Sequence, residues 1–272
     1  MMNKIFNLHF TDFCNFNCRC CYAKKDKNCL SFDDIQKIIE NIAGYFEKHG
    51  ITDGRVNIAG GEPTTSKNLQ KIIDAVVSKG IKASLITNGI LLTEEFVREN
   101  AGKLTMIGLS IDSLNDGTNR ILGRCEGVGG RVFDYGRLVA ICRCIKECGI
   151  TLKINVVASK LNFNEDIKRL LDDVRPKRFK ILQMLPTTPF AEENALSESE
   201  FDKYVQKYDG YNPVTEKQEN IKKAYLIIDS SGFVTTNNLH FDKKHNALEE
   251  SFDEILDDID FDFESEAARY SS

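Results

Sequence analysis

The chain has 272 residues, 42% of them apolar, and a net charge of −5. This is the composition of an ordinary globular protein with enough residues for a full hydrophobic core. The acidic balance argues against a nucleic-acid-binding face, and no apolar run approaches the roughly 20 residues that span a bilayer. Nine cysteines without an N-terminal secretion signal favour metal-binding thiolates over a disulfide framework. We expect a cytoplasmic monomer that binds neither membranes nor nucleic acid.

Short apolar runs alternate with helical patterns over the first two thirds of the chain. Strands are predicted over 4–10, 55–59, 82–87, 105–111, 151–158 and 177–184. Helices are predicted over 32–48, 66–79, 93–100, 131–148 and 164–173. This alternation predicts an α/β fold with a parallel sheet. About six βα units fit a partial (β/α)6 TIM-like barrel better than the eight units of a full TIM barrel.

The last third of the chain has a different pattern. Residues 186–220 predict a loop with a short helix at about 198–208, and residues 223–237 predict a hairpin. The acidic segment 249–266 predicts a solvated helix with one buried stripe. We interpret 1–185 as the barrel core and 186–272 as a C-terminal extension that closes the substrate site within the same structural unit.

Four cysteines crowd the segment that follows the first predicted strand. Three of them, Cys14, Cys18 and Cys21, can be spaced as C-x3-C-x2-C, and the fourth is Cys20. A structural zinc site usually has four ligands, commonly from two C-x2-C pairs, and no second pair follows at that spacing. A [4Fe–4S] cluster that leaves one iron open fits three thiolates better. A non-catalytic zinc-binding module is the rival interpretation.

A turn of two glycines, a carboxylate and a proline follows the second predicted strand. Its residues are Gly60, Gly61, Glu62 and Pro63. The glycines allow the backbone to approach a ligand closely. The turn would lie at the C-terminal edge of the sheet, beside the cysteine loop. Barrel enzymes place their active sites at this edge.

Together, these two motifs resemble the radical S-adenosylmethionine (SAM) superfamily. The resemblance implies that Cys14, Cys18 and Cys21 ligate a [4Fe–4S] cluster, and that SAM chelates the fourth iron and is cleaved to a 5′-deoxyadenosyl radical. It also implies an electron donor such as flavodoxin or ferredoxin. The residues implied to bind SAM are Gly60, Gly61, Glu62, Pro63, Asn88 and Ser110. The residue before the third cysteine is usually aromatic in this superfamily, whereas here it is Cys20.

Basic side chains recur on the later predicted strands. Lys153 and Asn155 are two residues apart on the fifth strand, as are Arg178 and Lys180 on the sixth, and Arg124 follows the fourth. Residues two apart on a strand face the same way. Unpaired cations are costly to bury, and a triphosphate would offset that cost. The alternative is that these cations are solvated or pair with local acids.

Seven short segments in order resemble the viperin-like enzymes of this superfamily, over residues 4 to about 240. They begin at Asn7, Leu85, Ser110, Ile121, Lys153, Arg178 and Tyr225. The resemblance implies that Arg124, Lys153, Asn155, Arg178 and Lys180 hold a nucleoside triphosphate, with Tyr225 near the ribose.

The implied reaction removes hydrogen from C4′ and then loses the 3′-hydroxyl as water. Its product, a 3′-deoxy-3′,4′-didehydro nucleotide, terminates RNA chains in antiviral defence. CTP is the favoured substrate, with UTP or GTP possible. The alternative within the superfamily is action on a peptide or on another small molecule. The animal enzymes carry a membrane-binding N-terminal extension and a tryptophan-containing tail. Here the first strand starts by residue 4 and Trp is absent, as expected for a prokaryotic member.

Overall fold

The computed structural model describes residues 4–23, 27–127, 129–221, 225–236, 244–259 and 261. The strands are β1 (Ile5–His9), β2 (Arg55–Ala59), β3 (Lys82–Thr87), β4 (Leu104–Ser110), β5 (Thr151–Ala158), β6 (Arg178–Gln183), β7 (Val214–Glu216), β8 (Leu226–Ile228), β9 (Phe233–Thr236) and β10 (His245–Asn246). The helices are α1 (Phe32–Lys48), α2 (Leu69–Ser78), α3 (Glu94–Glu99), α4 (Asp116–Leu122), α5 (Tyr135–Glu147), α6 (Lys168–Val174), α7 (Pro189–Asn194), α8 (Glu198–Gln206), α9 (Gln218–Ile221) and α10 (Phe252–Asp258). In the part of the chain that these ranges cover, no helix has both the length and the apolar character needed to cross a membrane.

All ten strands belong to one sheet, in the order β10-β9-β8-β1-β2-β3-β4-β5-β6-β7. Strands β1 to β6 are parallel and adjacent in sequence order, so their carboxyl ends lie at one edge. The predicted α/β architecture and the six predicted core strands are confirmed. The predicted hairpin is present as antiparallel β8 and β9, and β8 also pairs in parallel with β1. Residues beyond 185 therefore extend the same sheet at both sides.

The predicted helices are present, with differences from the sequence pattern at several ends and connections. The short helices α4, α7 and α9 and the short strands β7 and β10 were not predicted. Helices α2 and α5 begin at Leu69 and Tyr135 rather than at 66 and 131. Helix α6 begins at Lys168 rather than at 164. The reason is local, because the carboxylate of Asp166 accepts a hydrogen bond from the backbone N–H of Lys168 at 3.0 Å and holds the chain in a turn there.

One face of the sheet packs on helices. Phe6 and Leu8 of β1 point to this face and are fully buried. The ring of Phe252 in α10 packs edge-on against Phe6, with 4.6 Å between ring centroids. Phe252 and Ile255 form the buried side of α10, so the predicted buried stripe is present, on a helix that ends at Asp258 and is shorter than the predicted segment 249–266. Residues 262–272 of the same acidic tail lie outside the described residues.

The opposite face of the sheet is polar and equally buried. Asn57 of β2 donates from Nδ2 to Oδ1 of Asn7 at 2.8 Å, and Asn7 donates to the carbonyl of Leu226 at 3.0 Å. Ser84 of β3 hydrogen-bonds to Asn57 in the same row. Buried polar groups are stable only when they are hydrogen-bonded, so these contacts maintain a polar inner surface.

The sheet curls around this polar face. Tyr225 lies just before β8, and Glu216 ends β7, far away in strand order. The hydroxyl of Tyr225 nevertheless donates to Oε2 of Glu216 at 2.5 Å. Strands from the two sides of the sheet therefore face each other across the inner surface. β7 and β10 stay at its two edges, so the predicted partial barrel is an open one.

Candidate active site

The cysteine loop follows β1 and is fixed by backbone hydrogen bonds to the end of α4. The N–H of Asn17 donates to the carbonyl of Gly123 at 3.2 Å, and the N–H of Arg19 donates to Leu122 at 2.9 Å. Gly123 has a φ of +75°, and a Cβ there would lie 2.1 Å from the carbonyl oxygen of Asn17. The glycine is therefore required for the loop to lie against α4.

The Gly-Gly turn lies directly against the start of the cysteine loop. The N–H of Gly61 donates to the carbonyl of Thr11 at 2.6 Å, and the N–H of Glu62 donates to Phe13 at 2.8 Å. A Cβ on Gly61 would lie 2.2 Å from the carbonyl oxygen of Phe13, and Gly60 has a φ of +130°. The structure thus brings together the two motifs that the sequence pattern placed at one edge of the sheet.

Glu62 is held rigidly at the end of β2. Its carboxylate is 1% exposed and accepts hydrogen bonds from the hydroxyls of Thr64 and Thr87 at 2.6 and 2.5 Å. The backbone N–H of Asn88 donates to the other carboxylate oxygen at 2.7 Å. Burial raises the pKa of Glu62, and the hydrogen bonds oppose this shift. Asn88 also donates from its side chain to Asn15 in the cysteine loop at 2.9 Å.

Asn88, Ser110 and Arg124 line one cavity beside the cysteine loop, together with Phe16 and Phe133. Two of these residues were predicted to bind SAM, whereas Arg124 was predicted to bind the triphosphate. The structure places Arg124 beside the cysteine loop and in the same cavity as the two residues that the resemblance implies for SAM.

Arg124 is anchored in this cavity by an acid. Its guanidinium lies 2.9 Å from the carboxylate of Asp112 and also donates to the carbonyl of Ser110. Burial disfavours its charge, but Asp112 and the thiols of Cys18, Cys20 and Cys21 outweigh burial and raise the pKa of Arg124. Arg124 therefore stays charged beside the cysteine loop.

The other three predicted cations lie together on the polar inner face. Strand register places Lys153 opposite Arg178 and Asn155 opposite Lys180. Lys153 and Lys180 are only 7% and 3% exposed. In β4, Ser110 pairs with Asn155, so one row of neighbours runs from the cavity that Ser110 lines through Asn155 to Lys180.

Arg55 joins this group and was missed by the sequence analysis. It is the first residue of β2 and is 9% exposed. It lies close enough to Lys153 to lower the pKa of that amine. One sequence feature could have identified it: Arg55 is a single cation at the start of a strand that leads directly into the Gly-Gly-Glu-Pro turn. We call Arg55, Lys153, Arg178 and Lys180 the inner cation group.

Glu216 and Tyr225 lie beside this group, and the carboxylate of Glu216 provides a negative charge there. Lys180 forms a salt bridge with Glu216 and donates to the hydroxyl of Tyr225 at 2.5 Å. Tyr225, predicted near the ribose, thus lies at the inner cation group, with its own hydroxyl donating to Glu216. Four cations grouped in this way, with the carboxylate of Glu216 beside them, make a surface suited to a polyanion.

Burial of the inner cation group has a measurable consequence for Lys153. Burial lowers its pKa to about 7, with a further lowering from Lys180, Arg178 and Arg55 and an opposing effect of Glu216. A neighbouring polyanion would reverse this shift, because it stabilises the ammonium form.

The cysteine thiols are desolvated as well. Burial raises the pKa of Cys18 and that of Cys20 to about 12, and it raises the pKa of Cys14. Thiolates at such positions need a nearby positive charge, which a bound metal centre supplies. Within the described ranges, no three His, Cys, Asp or Glu side chains lie close enough together to hold a single metal ion. Cluster ligands need no such grouping, since each thiolate binds a different iron.

Comparisons with known proteins agree with this geometry. The family model of the radical SAM superfamily matches residues 8–174, which is more than half of the chain. The chain belongs to the radical SAM superfamily. It is accordingly an enzyme that uses SAM, and an iron–sulfur cluster is general among its members.

The similar curated proteins are named S-adenosylmethionine-dependent nucleotide dehydratase. That of Flammeovirga pacifica is 29% identical over 275 residues, covering 95% of this chain and 91% of the relative. That of Selenomonas ruminantium is 28% identical, with coverages of 97% and 98%. These relatives confirm the resemblance to viperin-like enzymes.

Solved structures show the same fold. SuiB of Streptococcus suis, bound to its precursor peptide SuiA, superposes with a TM-score of 0.71 at 18% identity, covering all of this chain and 67% of that one. At this identity the likeness concerns the fold alone.

The contact between the Gly-Gly turn and the cysteine loop predicts the effect of one added methyl group. Gly61→Ala should lower the free energy of unfolding by about 1–3 kcal/mol, because its Cβ meets backbone that cannot rotate away. Gly44→Ala is the matched control: Gly44 lies in α1 with nothing within 4 Å of a Cβ, so alanine should stabilise the protein by about 0.5–1 kcal/mol. Urea unfolding measures both. Equal stabilities for Gly61→Ala and the parent would show that this contact does not constrain the loop.

Proposed function

We propose that the protein is a viperin-like nucleotide dehydratase, which converts a nucleoside triphosphate into its 3′-deoxy-3′,4′-didehydro analogue. The observation that carries the proposal is the buried inner cation group next to a radical SAM site. Relatives of nearly full length that are named nucleotide dehydratases support it. CTP is the favoured substrate, and the product would act as an RNA chain terminator in antiviral defence.

Cys14, Cys18 and Cys21 would hold a [4Fe–4S] cluster in this proposal. SAM would bind beside it at Gly60, Gly61, Glu62, Pro63, Asn88 and Ser110. Glu62 is a buried carboxylate, which suits the amino group of methionine. Arg124 is better assigned to an anionic group of SAM than to the triphosphate, since it lines the cavity that holds Asn88 and Ser110.

The triphosphate would bind to the inner cation group, with Asn155 donating a hydrogen bond. Asn155 is the neighbour of Ser110 on one side and of Lys180 on the other. A nucleotide held by its phosphates at Lys180 would therefore extend its ribose toward the SAM cavity. Each charge-assisted contact contributes on the order of 1.5–3 kcal/mol.

The chemistry that a cluster and SAM would supply, if held by these residues, is the radical that takes hydrogen from C4′ of the ribose. Departure of the 3′-hydroxyl as water then consumes one proton and one electron. Tyr225 is the hydroxyl that we assign as proton donor, because Lys180 and Glu216 hold it at the inner cation group. The electrons would come from a flavodoxin or ferredoxin.

The two rival functions fare differently. A non-catalytic zinc-binding module conflicts with membership of an enzyme superfamily that uses SAM. Action on a peptide or on another small molecule remains the alternative, and the inner cation group speaks against it, since a cluster of basic side chains suits a polyanion better than a neutral or cationic substrate.

The decisive test is the release of 5′-deoxyadenosine. Reconstituted and reduced enzyme with SAM should release it many times faster when a nucleoside triphosphate is added, because the bound ribose supplies the hydrogen atom. CTP, UTP, GTP and ATP are compared by liquid chromatography, and product mass should be lower than substrate mass by one water. Nucleosides without phosphates should be very poor substrates. Lack of stimulation by all four nucleotides would refute the proposed function.

The cluster assignment is tested by exchanging single cysteines. Cys21→Ala should abolish retention of iron and labile sulfide, whereas Cys20→Ala should keep both, because only Cys21 has the family spacing. Iron and sulfide counts after anaerobic reconstitution measure this, with visible absorption as a second readout. The reverse pattern would make Cys20 the third ligand, and tight zinc without sulfide would exclude the cluster.

The lowered pKa of Lys153 predicts how nucleotide binding depends on pH. The free enzyme loses the charge of Lys153 above a pKa of about 7, whereas bound phosphates would raise that pKa. The nucleotide KM should therefore rise with pH between about 7.5 and 9, by up to about tenfold per pH unit. Lys153→Arg should remove this dependence, because a guanidinium stays charged in that range.

Lys153→Ala should raise the KM at neutral pH by one to two decades, at about 1.4 kcal/mol per decade. Lys37→Ala, at an exposed position of α1, is the control and should behave like the parent. A KM that rises with pH equally in Lys153→Arg would show that another group titrates.

A further inference from the structure

A second cavity lies at the edge of the sheet opposite the cysteine loop. It has a volume of about 190 Å³. The polar residues that line it are Arg55, Lys82, Thr105, Thr151, Lys177 and Arg178. All six lie within one residue of the start of a core strand, whereas the cysteine loop and the Gly-Gly turn follow the ends of strands. We call this space the amino-end cavity.

Strand geometry separates the amino-end cavity from the proposed radical site. Thr151 and Asn155 lie on β5, four residues apart, and face the same way. Four residues of a strand span roughly 13 Å, at about 3.3 Å each. Asn155 pairs with Ser110, which lines the cavity beside the cysteine loop. The amino-end cavity is therefore a different place from the one proposed for SAM and the ribose.

The lining of the amino-end cavity is basic, in a chain whose net charge is −5. Four of its residues are Lys or Arg, and among the described residues that line it none is acidic. Lys82 forms a salt bridge with Asp53, but these side chains are 43% and 40% exposed, and ion pairs in contact with solvent contribute little. Lys82 and Lys177 are exposed, so the cavity opens to solvent on their side. It therefore presents positive charge to an anion that enters from solvent.

The groups that line the cavity indicate which anion it would bind. Lys and Arg donate charge-assisted hydrogen bonds to phosphate oxygens, and Arg does so with two parallel bonds. Thr151 adds a hydroxyl to the lining, whereas the hydroxyl of Thr105 donates to the carbonyl of Ala83 at 2.9 Å. The volume is below the roughly 300–1,000 Å³ of pockets for drug-sized ligands. The cavity thus suits a phosphate group better than a whole nucleotide.

Two residues belong both to this cavity and to the inner cation group, namely Arg55 and Arg178. Strand register places Arg178 opposite Lys153, and both arginines lower the pKa of that amine. Positive charge therefore continues from the inner cation group into the amino-end cavity. An anion in the cavity would lie next to any triphosphate that the inner cation group holds.

We propose that the amino-end cavity is a phosphate-binding site, with Lys82, Lys177 and Thr151 as its own ligands and with Arg55 and Arg178 shared with the inner cation group. The phosphate has two potential sources of the same chemistry. One is free inorganic phosphate or pyrophosphate from solvent. The other is the terminal phosphate of a nucleotide whose ribose points toward the cysteine loop. The first source is independent of the proposed function, and the second rests on it.

Calorimetry with inorganic pyrophosphate tests the site in the holoenzyme, in buffer without divalent cations. Lys177→Glu should weaken pyrophosphate binding about tenfold or more, because it replaces an attractive charge in the lining by a repulsive one. Lys177→Arg should bind like the parent, since a guanidinium also donates to phosphate oxygens. Lys37→Glu is the matched control, because it makes the same change of net charge at an exposed position of α1. It should stay within about twofold of the parent.

Nucleotides then identify the source of the phosphate. If the cavity takes the terminal phosphate, Lys177→Glu should weaken CTP binding about tenfold and leave CMP binding unchanged, and pyrophosphate should compete with CTP. If the cavity takes a free anion, Lys177→Glu should leave CTP binding within about twofold of the parent, and pyrophosphate should bind to enzyme saturated with CTP. Either result supports the site.

Two results would overturn the proposal. The first is a Lys177→Glu variant that binds both pyrophosphate and CTP like the parent. The second is pyrophosphate binding that Lys153→Ala abolishes and Lys177→Glu leaves unchanged, with CTP binding unchanged as well, since the inner cation group alone would then hold the anion. Lys177 is exposed, so its variants should unfold in urea like the parent, which separates lost binding from lost structure. A protein that binds pyrophosphate at Lys177 and never acts on a nucleotide would refute the proposed function alone.

Discussion

The parallel pairing of β1 with β2 determines where the other parts of the site can lie. Both strands end at the same edge of the sheet, so the loop after one meets the turn after the other. The contact is so close that only glycine fits at Gly61, where a Cβ would lie 2.2 Å from the carbonyl oxygen of Phe13. The contact also fixes Glu62, the residue after Gly61. The backbone N–H of Asn88 donates a hydrogen bond to the Glu62 carboxylate, which holds the loop after β3 against the turn. One backbone contact therefore aligns residues from three strands.

A second constraint is the unusual polarity of the inner face. Burying a charged group has an unfavourable desolvation free energy, and packing against apolar groups does not offset it. Here Lys153 and Lys180 are almost fully buried near Arg55 and Arg178, and Lys180 forms a salt bridge with Glu216. A natural sequence tolerates such local conflict mainly where it serves function. The depressed pKa of Lys153 is the sign of that cost, and an anion bound there would relieve it.

Much of this arrangement was predictable from the sequence, because it depends on local patterns. Alternating apolar runs gave the six core strands, and the spacing of cysteines and glycines gave the two loop motifs. The grouping of Lys153, Arg178 and Lys180 followed from their period of two on neighbouring strands.

The errors concern contacts that depend on the curvature of the sheet. Arg55 was missed because its proximity to Lys153 arises only when β2 and β5 face each other. The contact of Arg124 with Asp112 was not expected either, because nothing in the local pattern indicates that this acid holds Arg124 beside the cysteine loop. Strand β7, with three residues, is too short to give a periodic signal.

The pairing of β1 with β8 has a consequence for the order in which the chain can fold. The hydrogen bond from Asn7 to the carbonyl of Leu226 joins residues 219 positions apart. During synthesis β1 emerges first and can pair with β2 early, but its other edge stays open until nearly the whole chain has been made. Such long-range pairing is slow, and an open strand edge invites association with other chains. Strand β1 therefore has an unpaired edge until β8 has been synthesised. A nascent chain that stalls before β8 would be prone to aggregate through that edge.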